Sequence, residues 1–217
     1  MAKKKQYIVF GIGRFGGSVA RTLQSLGAEV LAVDRGEDTI QEISQHVSYA
    51  VCADVSNPEA YESFAMNEMD GAVICVTESI ETSIICAMTC KEYGIPQIYA
   101  KARNDMHARI LEKIGVDKVI YPEKDMGIRM AKHIIADNFI DWIDLSDDFS
   151  LVEMKIPKEW IGKTLSDMKL RKNHNINVIG TRTEKGIVLN PDPDEPLPGD
   201  RIVLVSGSAK DLAKFKE

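Results

Sequence analysis

Gly11-Ile12-Gly13-Arg14-Phe15-Gly16 places three glycines at the spacing G-x-G-x-x-G, and Asp34 closes the next apolar run. Residues of these types in this order suit the capture of a nucleotide. Gly11 permits a tight turn, Gly13 lets the backbone approach a pyrophosphate, and Gly16 lets a helix lie close to the preceding strand. The N-terminus of that helix offers N–H groups and a partial positive charge to phosphate oxygens. An acid at the end of the second strand takes ribose hydroxyls and disfavours a 2′-phosphate. A Gly-rich turn that merely packs a βαβ unit is the alternative. The sequence strand, turn, helix, strand, acid favours the nucleotide.

The elements that must position these residues are legible in the apolar pattern. Tyr7-Ile8-Val9-Phe10 reads as a strand, and Phe15, Val19, Leu23 and Leu26 recur at helical spacing after it. Strands follow at 29–33, 49–52, 71–76, 98–100 and 118–121. Helices are expected at about 37–46, near Pro58, at 80–92 and at 105–114. This alternation predicts an α/β fold, a Rossmann-like doubly wound parallel sheet. Ligands of such sheets bind outside the carboxyl ends of the strands. That rule nominates Arg14, Asp34, Arg35, Asp54, Thr77, Lys101 and Glu123. Arg14 and Lys101 suit phosphate neutralisation. Glu123 belongs near a phosphate only if a cation bridges the two. Taken singly, Lys101 and Glu123 also read as solvated loop charges.

A helix expected at about 124–140 carries two apolar stripes, Met126/Met130/Ile134 and Ile128/Ala131/Ile135/Phe139. One stripe suffices to cover a sheet. Two imply packing on both sides, against a partner subunit or the C-terminal segment, and a dimer is the favoured reading. Residues 1–140 thus form the first domain, 141–148 an aspartate-rich linker, and 149–217 a second, smaller α+β domain. The second domain has a strand at 149–156, a hairpin from Ile176–Arg182 to Gly186–Leu189, a strand at 201–205 and a final helix near Ser208. About 70 residues bury too little to be secure alone, so this domain is expected to dimerise or dock.

Composition narrows the function. The chain has 217 residues, 44% hydrophobic, and a net charge of −6, which opposes general nucleic-acid binding. No apolar run reaches the roughly 18–20 residues that span a bilayer, and the N-terminal start reads as no signal peptide. Cys52, Cys75, Cys86 and Cys90 form no C-x-x-C pair and are expected as small buried apolar residues in a reducing compartment. No phosphate loop of the G-x-x-x-x-G-K-[ST] type is present, which opposes an ATPase. An NAD-dependent oxidoreductase or an NAD(H) redox-sensing module shares the Gly-rich turn and Asp34. His46, His107, His133 and His174, however, form no evident catalytic constellation.

Gly11–Gly17, Ala32-Val33-Asp34, the run Lys113–Gly127 with Pro122-Glu123-Lys124-Asp125-Met126 at its centre, and Asp144-Leu145-Ser146-Asp147 resemble a known family over essentially the whole chain. It is the RCK or KTN family, the cytosolic regulatory subunits of bacterial Ktr/Trk potassium transporters. The resemblance implies an RCK-N domain, a crossover helix exchanged between protomers, and an RCK-C domain. It implies no enzyme but a homodimer assembling into an octameric ring, cytoplasmic and peripheral to a membrane potassium-translocating partner. It implies that ATP favours the active ring and ADP the inactive one. By position, Arg14 corresponds to the sensor of the terminal phosphate, Asp34 to the ribose ligand, and Asp54 to an acid by the adenine. Lys101 and Glu123 correspond to residues near the phosphates, Glu123 being the ligand of a divalent cation or Na+. The second domain resembles those that bind cyclic di-AMP at a two-fold interface, with Leu170, Arg171, Ile176, Asn177 and Pro191 at the corresponding places. The chain departs from its relatives just after Arg171, with Lys172-Asn173-His174-Asn175.

Overall fold

The computed structural model describes residues 3–135, 139–146, 148–184 and 186–215. The chain divides into two compact units, 1–122 and 123–217.

The first unit opens with β1 (Gln6–Phe10), α1 (Arg14–Ser25), β2 (Glu29–Asp34), α2 (Glu37–Ile43) and β3 (Tyr49–Cys52). β4 (Gly71–Ile74), α3 (Ile80–Glu92), β5 (Ile98–Lys101), α4 (Asp105–Ile114) and β6 (Lys118–Ile120) complete it. The strands form one sheet in the order β3-β2-β1-β4-β5-β6, every pairing parallel. The order reverses between β1 and β4, and that reversal fixes where a ligand crevice opens. Both faces of the sheet are covered. Alternate residues of β1 divide between two cores: Ile8 and Phe10 join Val33, Ile74, Cys86 and Leu111 on one face, and Val9 joins Ala20, Val30 and Ile43 on the other. Two-sided burial is why these strands read as continuous apolar runs rather than alternating ones. The segment around Pro58, expected as an α-helix, is two short 3-10 turns at Pro58–Ser63 and Met66–Glu68. Their Tyr61 and Phe64 rings pack against Phe10 at centroid distances of 5.7 and 6.3 Å.

The boundary between the units falls at the start of α5 (Pro122–Ile135), which begins two residues before the helix expected at 124–140, and a strand already occupies 139–140. β7 (Phe139–Ser146) and β8 (Phe149–Lys155) follow, then α6 (Leu165–Met168), α7 (Leu170–His174), β9 (Asn177–Thr183), β10 (Gly186–Leu189), β11 (Ile202–Gly207) and α8 (Ala209–Leu212). The strands form an antiparallel sheet ordered β10-β9-β11-β8-β7. Its core gathers Trp142, Val152, Met154, Trp160, Ile176, Val203, Val205, Leu212 and Phe215.

The stretch 141–148, expected as an acidic linker, therefore contributes most of a strand. Its aspartates mislead because two of them are partnered. Asp141 receives Nη2 of Arg129 on both oxygens at 2.6 and 2.7 Å. Asp144 accepts from the Trp142 indole N–H at 2.6 Å and from the Ser150 hydroxyl at 2.8 Å. The apolar residues between the aspartates carry the strand signal: Trp142 faces the core, while Ile143 and Leu145 are exposed. On α5, Met126, Ile128, Met130 and Ile134 are all exposed in the single chain. Both apolar stripes are represented among them; the side chains of Ile135 and Phe139 lie outside the described residues.

His107 on α4 is completely buried. Its Nδ1 accepts the backbone N–H of Arg103 at 3.2 Å, and its Nε2 has no hydrogen-bond partner among the described residues. Burial lowers its pKa from the ordinary histidine value. The unfolded chain therefore takes up a proton near pH 6.5 while the native state does not, so stability must fall as pH drops below that value. His107→Gln is expected to flatten the melting temperature between pH 7 and 5 relative to the unaltered chain, as differential scanning calorimetry would read. An equal acid slope in both proteins would contradict this role.

Candidate functional site

The turn from β1 to α1 is built by two close approaches. Gly11 has φ +85, and a Cβ there would lie 2.9 Å from the backbone of Cys75 and Val76. A Cβ on Gly16 would lie 1.9 Å from the carbonyl oxygen of Gly11. Side chains at these positions would push α1 off the end of β1. Gly13 differs: a Cβ there meets nothing within 4 Å. The space beside Gly13 is open, and it is the N-cap position of α1.

That N-terminus is electrostatically unlike those around it. No side chain caps α1, and its first turn holds no acid. Ser79 caps α3 and Asn104 caps α4 by accepting backbone N–H bonds, and α2 carries Glu37 and Asp38 in its first turn. Each of these devices satisfies or neutralises a helix terminus. Among the described α-helices of the first unit, only α1 has neither a side-chain cap nor an acid in its first turn, so its terminus suits an outside anion.

Asp34, the last residue of β2, serves this turn directly. Its Oδ2 accepts the N–H of Ile12 at 2.6 Å and its Oδ1 the N–H of Gly36 at 2.9 Å. The carboxylate thus pins the Gly-rich loop and keeps lone pairs for further donors. A cleft of about 300 Å³ lies over these groups, lined by Gly11, Gly13, Asp34, Arg35, Asp54 and Thr77 together with Thr39, Val55, Glu78, Ser79 and Thr82. It occupies the switch point between the ends of β1 and β4. Asp54 accepts the N–H and then the hydroxyl of Ser56, at 2.9 and 2.8 Å. These two bonds hold its carboxyl below the usual range, with Arg35 adding a lesser pull.

The structure gathers most, not all, of the residues expected here. Arg14 is exposed at the first position of α1 and Phe15 half-buried at the second. Lys101 ends β5 with its Nζ 5.7 Å from the centre of the Phe15 ring, a cation–π placement beside the α1 N-terminus. Arg14, Phe15, Gly16, Lys101 and Glu123 are not among the residues lining the cleft. Glu123 stands in the first turn of α5, in the second unit. Glu78, Ser79 and Thr82 also line the cleft but escape the strand-end rule, which nominates only Thr77 after β4. The N-cap signature of Ser79 before an apolar helix was the available signal.

The cysteines are not uniformly buried. Cys86 and Cys90 are, and burial pushes the Cys86 thiol up to about 11 and Cys90 higher still. Cys75, just past β4, is pushed up to about 12 by burial. Cys52, by contrast, is exposed, because edge strand β3 ends there. In the second unit, a hollow of about 330 Å³ brings together Leu170, Arg171, Ile176 and Asn177 with Lys169 and Lys172. Pro191 is not among its lining residues.

Two family patterns match this chain: the TrkA-N domain over residues 7–122 and the TrkA-C domain over 151–217. The first match stops where the first compact unit stops, so α5 and β7 lie between the two. The chain is 34% identical to Ktr system potassium uptake protein C of Bacillus subtilis (strain 168), over 99% of this chain and 97% of that protein. It is also 34% identical to Ktr system potassium uptake protein A of Vibrio alginolyticus, over 98% and 97%. Among solved structures, the GsuK channel bound to NAD superposes with a TM-score of 0.66 at 14% identity. That match covers 99% of this chain and 39% of the channel chain, so this chain spans well under half of it.

Because Asp34 holds two loop amides, its loss should cost structure as well as ligand. Asp34→Ala is expected to lower stability by about 2 kcal/mol and to accelerate amide hydrogen exchange at Ile12 and Gly36. Unchanged exchange at both amides would show that the carboxylate does not hold the loop.

Proposed function

The chain belongs to the TrkA-N/TrkA-C family that includes the Ktr-system potassium uptake proteins, and on that premise we propose that it is the nucleotide-sensing regulatory subunit of a potassium uptake system. The observation that carries the nucleotide reading is the uncapped, acid-free N-terminus of α1 facing open space at Gly13, with the Asp34 carboxylate beside it. Phosphate oxygens fit the helix terminus, and ribose hydroxyls fit Asp34. The GsuK channel, whose fold this chain shares, is described in complexes with NAD and with ADP. We assign ATP and ADP to this cleft, with Arg14 and Lys101 as the cationic groups for the phosphates and Asp54 toward the base. NAD(H) competes for the same groups in this reading.

Glu123 is assigned the cation, Mg2+, Ca2+ or Na+. Among the described residues no cluster of three His, Cys, Asp or Glu side chains could hold a metal alone. A cation at Glu123 would therefore draw its other ligands from phosphate and water, as hard cations do. A γ-phosphate would then recruit the cation and ADP would not. Differential affinity for two arrangements of an assembly converts that difference into regulation without any chemical step. We assign no reaction to the chain. His107, the histidine of α4, is sealed from solvent and cannot serve as an acid or base for hydride transfer.

The exposed apolar side chains of α5 supply a surface for a second copy, consistent with a homodimer assembling into an octameric ring under a membrane potassium-translocating partner. The hollow at α7 and β9 offers Lys169, Arg171 and Lys172 for phosphates and Leu170, Ile176 and Val178 for bases, which suits cyclic di-AMP. No described helix is long and apolar enough to cross a membrane; in this reading the chain is cytoplasmic and meets the membrane through its partner.

Titration calorimetry of the full chain with ATP and ADP, each with and without Mg2+, tests this function. Both nucleotides are expected to bind. Mg2+ is expected to strengthen ATP at least tenfold over ADP, and Glu123→Gln to abolish that difference. Tight NADH binding with neither adenine nucleotide competing would overturn the proposal.

A further inference from the structure

Arg35 follows Asp34 at the carboxyl end of β2, and its Nη2 lies 2.5 Å from Oε2 of Glu78 in the loop after β4. Both residues line the cleft. The ion pair joins the two loops that flank the switch point. A third loop is tied to it: the backbone carbonyl of Glu78 accepts from Nη1 of Arg103, beyond β5, at 3.4 Å. Both partners of the pair are largely exposed, 74% for Arg35 and 80% for Glu78, so its worth as a stabilising contact is small. Its position over the cleft is what carries consequence.

An arginine near the ribose-binding acid is the group that receives a 2′-phosphate in pockets that accept one, by a forked pair of charge-assisted bonds. Here such an arginine is present, but a carboxylate occupies it. We propose that Glu78 is a specificity-determining residue: by pairing with Arg35 it withholds the guanidinium from 2′-phosphorylated ligands and restricts the cleft to adenine nucleotides with a free 2′-hydroxyl. The proposal rests on the adenine-nucleotide reading of the cleft. It divides selectivity between two acids with different tasks. Asp34 offers acceptors to the ribose, and Glu78 disarms the cation that would otherwise reward a phosphate.

AMP and adenosine 2′,5′-bisphosphate differ only in the 2′-phosphate, so the ratio of their affinities isolates the effect. Titration calorimetry would compare the unaltered chain, Glu78→Gln, and the double variant Glu78→Gln/Arg35→Gln. The unaltered chain is expected to prefer AMP. Glu78→Gln is expected to move the ratio toward the bisphosphate by roughly threefold to tenfold, the scale of an exposed ion pair exchanged for a phosphate contact. The double variant is expected to cancel that gain, because the gain requires Arg35. An unchanged ratio in Glu78→Gln, or a gain that survives loss of Arg35, would overturn the proposal. An unaltered chain that binds neither AMP nor ADP would remove the adenine-nucleotide reading itself, and this proposal with it, before any variant is made.

Discussion

The first domain depends on how closely α1 can approach the end of β1. A methyl group on Gly16 would sit inside the carbonyl oxygen of Gly11, so the helix reaches its position only because Gly16 has no side chain. That approach brings the helix terminus to the point where the strand order reverses, directly over the carboxyl edge of the sheet. It also lets the Ile12 amide reach Asp34. The terminus, the acid and the cleft are thus products of one packing constraint. The other helices of this domain end in caps or acids, and the cost of leaving α1 uncapped is what a bound anion would offset.

Much of this was legible in the sequence, for physical reasons. Parallel strands buried on both faces leave long apolar runs, and the helices between them show 3.6-residue periodicity. α3 and α4 fall where their N-cap residues, Ser79 and Asn104, and the trailing Gly94 and Gly115 place them. The Gly-rich turn and Asp34 were legible because each residue type there has few other uses. What composition concealed was pairing. The aspartates of 141–146 look solvated in one dimension, yet Asp141 grips Arg129 and Asp144 ties Trp142 to Ser150. The Pro58 segment likewise reads as a helix start, but its backbone closes into 3-10 turns that fit Tyr61 and Phe64 under Phe10. Glu78 was invisible because its partner Arg35 is brought to it only by the parallel pairing of β1 with β2 and β4.

The second domain joins a small antiparallel core to surfaces that a single chain leaves uncovered. Ile143 and Leu145 on β7 and the methionines of α5 are exposed, and the Arg129–Asp141 contact binds that helix to that strand. A segment lying between the two matched family domains therefore carries both an internal clasp and an apolar face. In the regulatory reading the first domain supplies the nucleotide cleft, and the second supplies these surfaces and the hollow at α7 and β9.

A nucleotide phosphate docked on the open N-terminus of α1 would perturb the backbone amides around it. The most direct measurement is the set of backbone amide NMR shifts on titrating the isotopically labelled chain with ADP. The amides of Gly13, Arg14, Phe15 and Gly16 are expected to move first and furthest, with smaller shifts at Ile12 and Gly36 where Asp34 responds. Saturable shifts elsewhere in the chain with these four amides unmoved would contradict that docking.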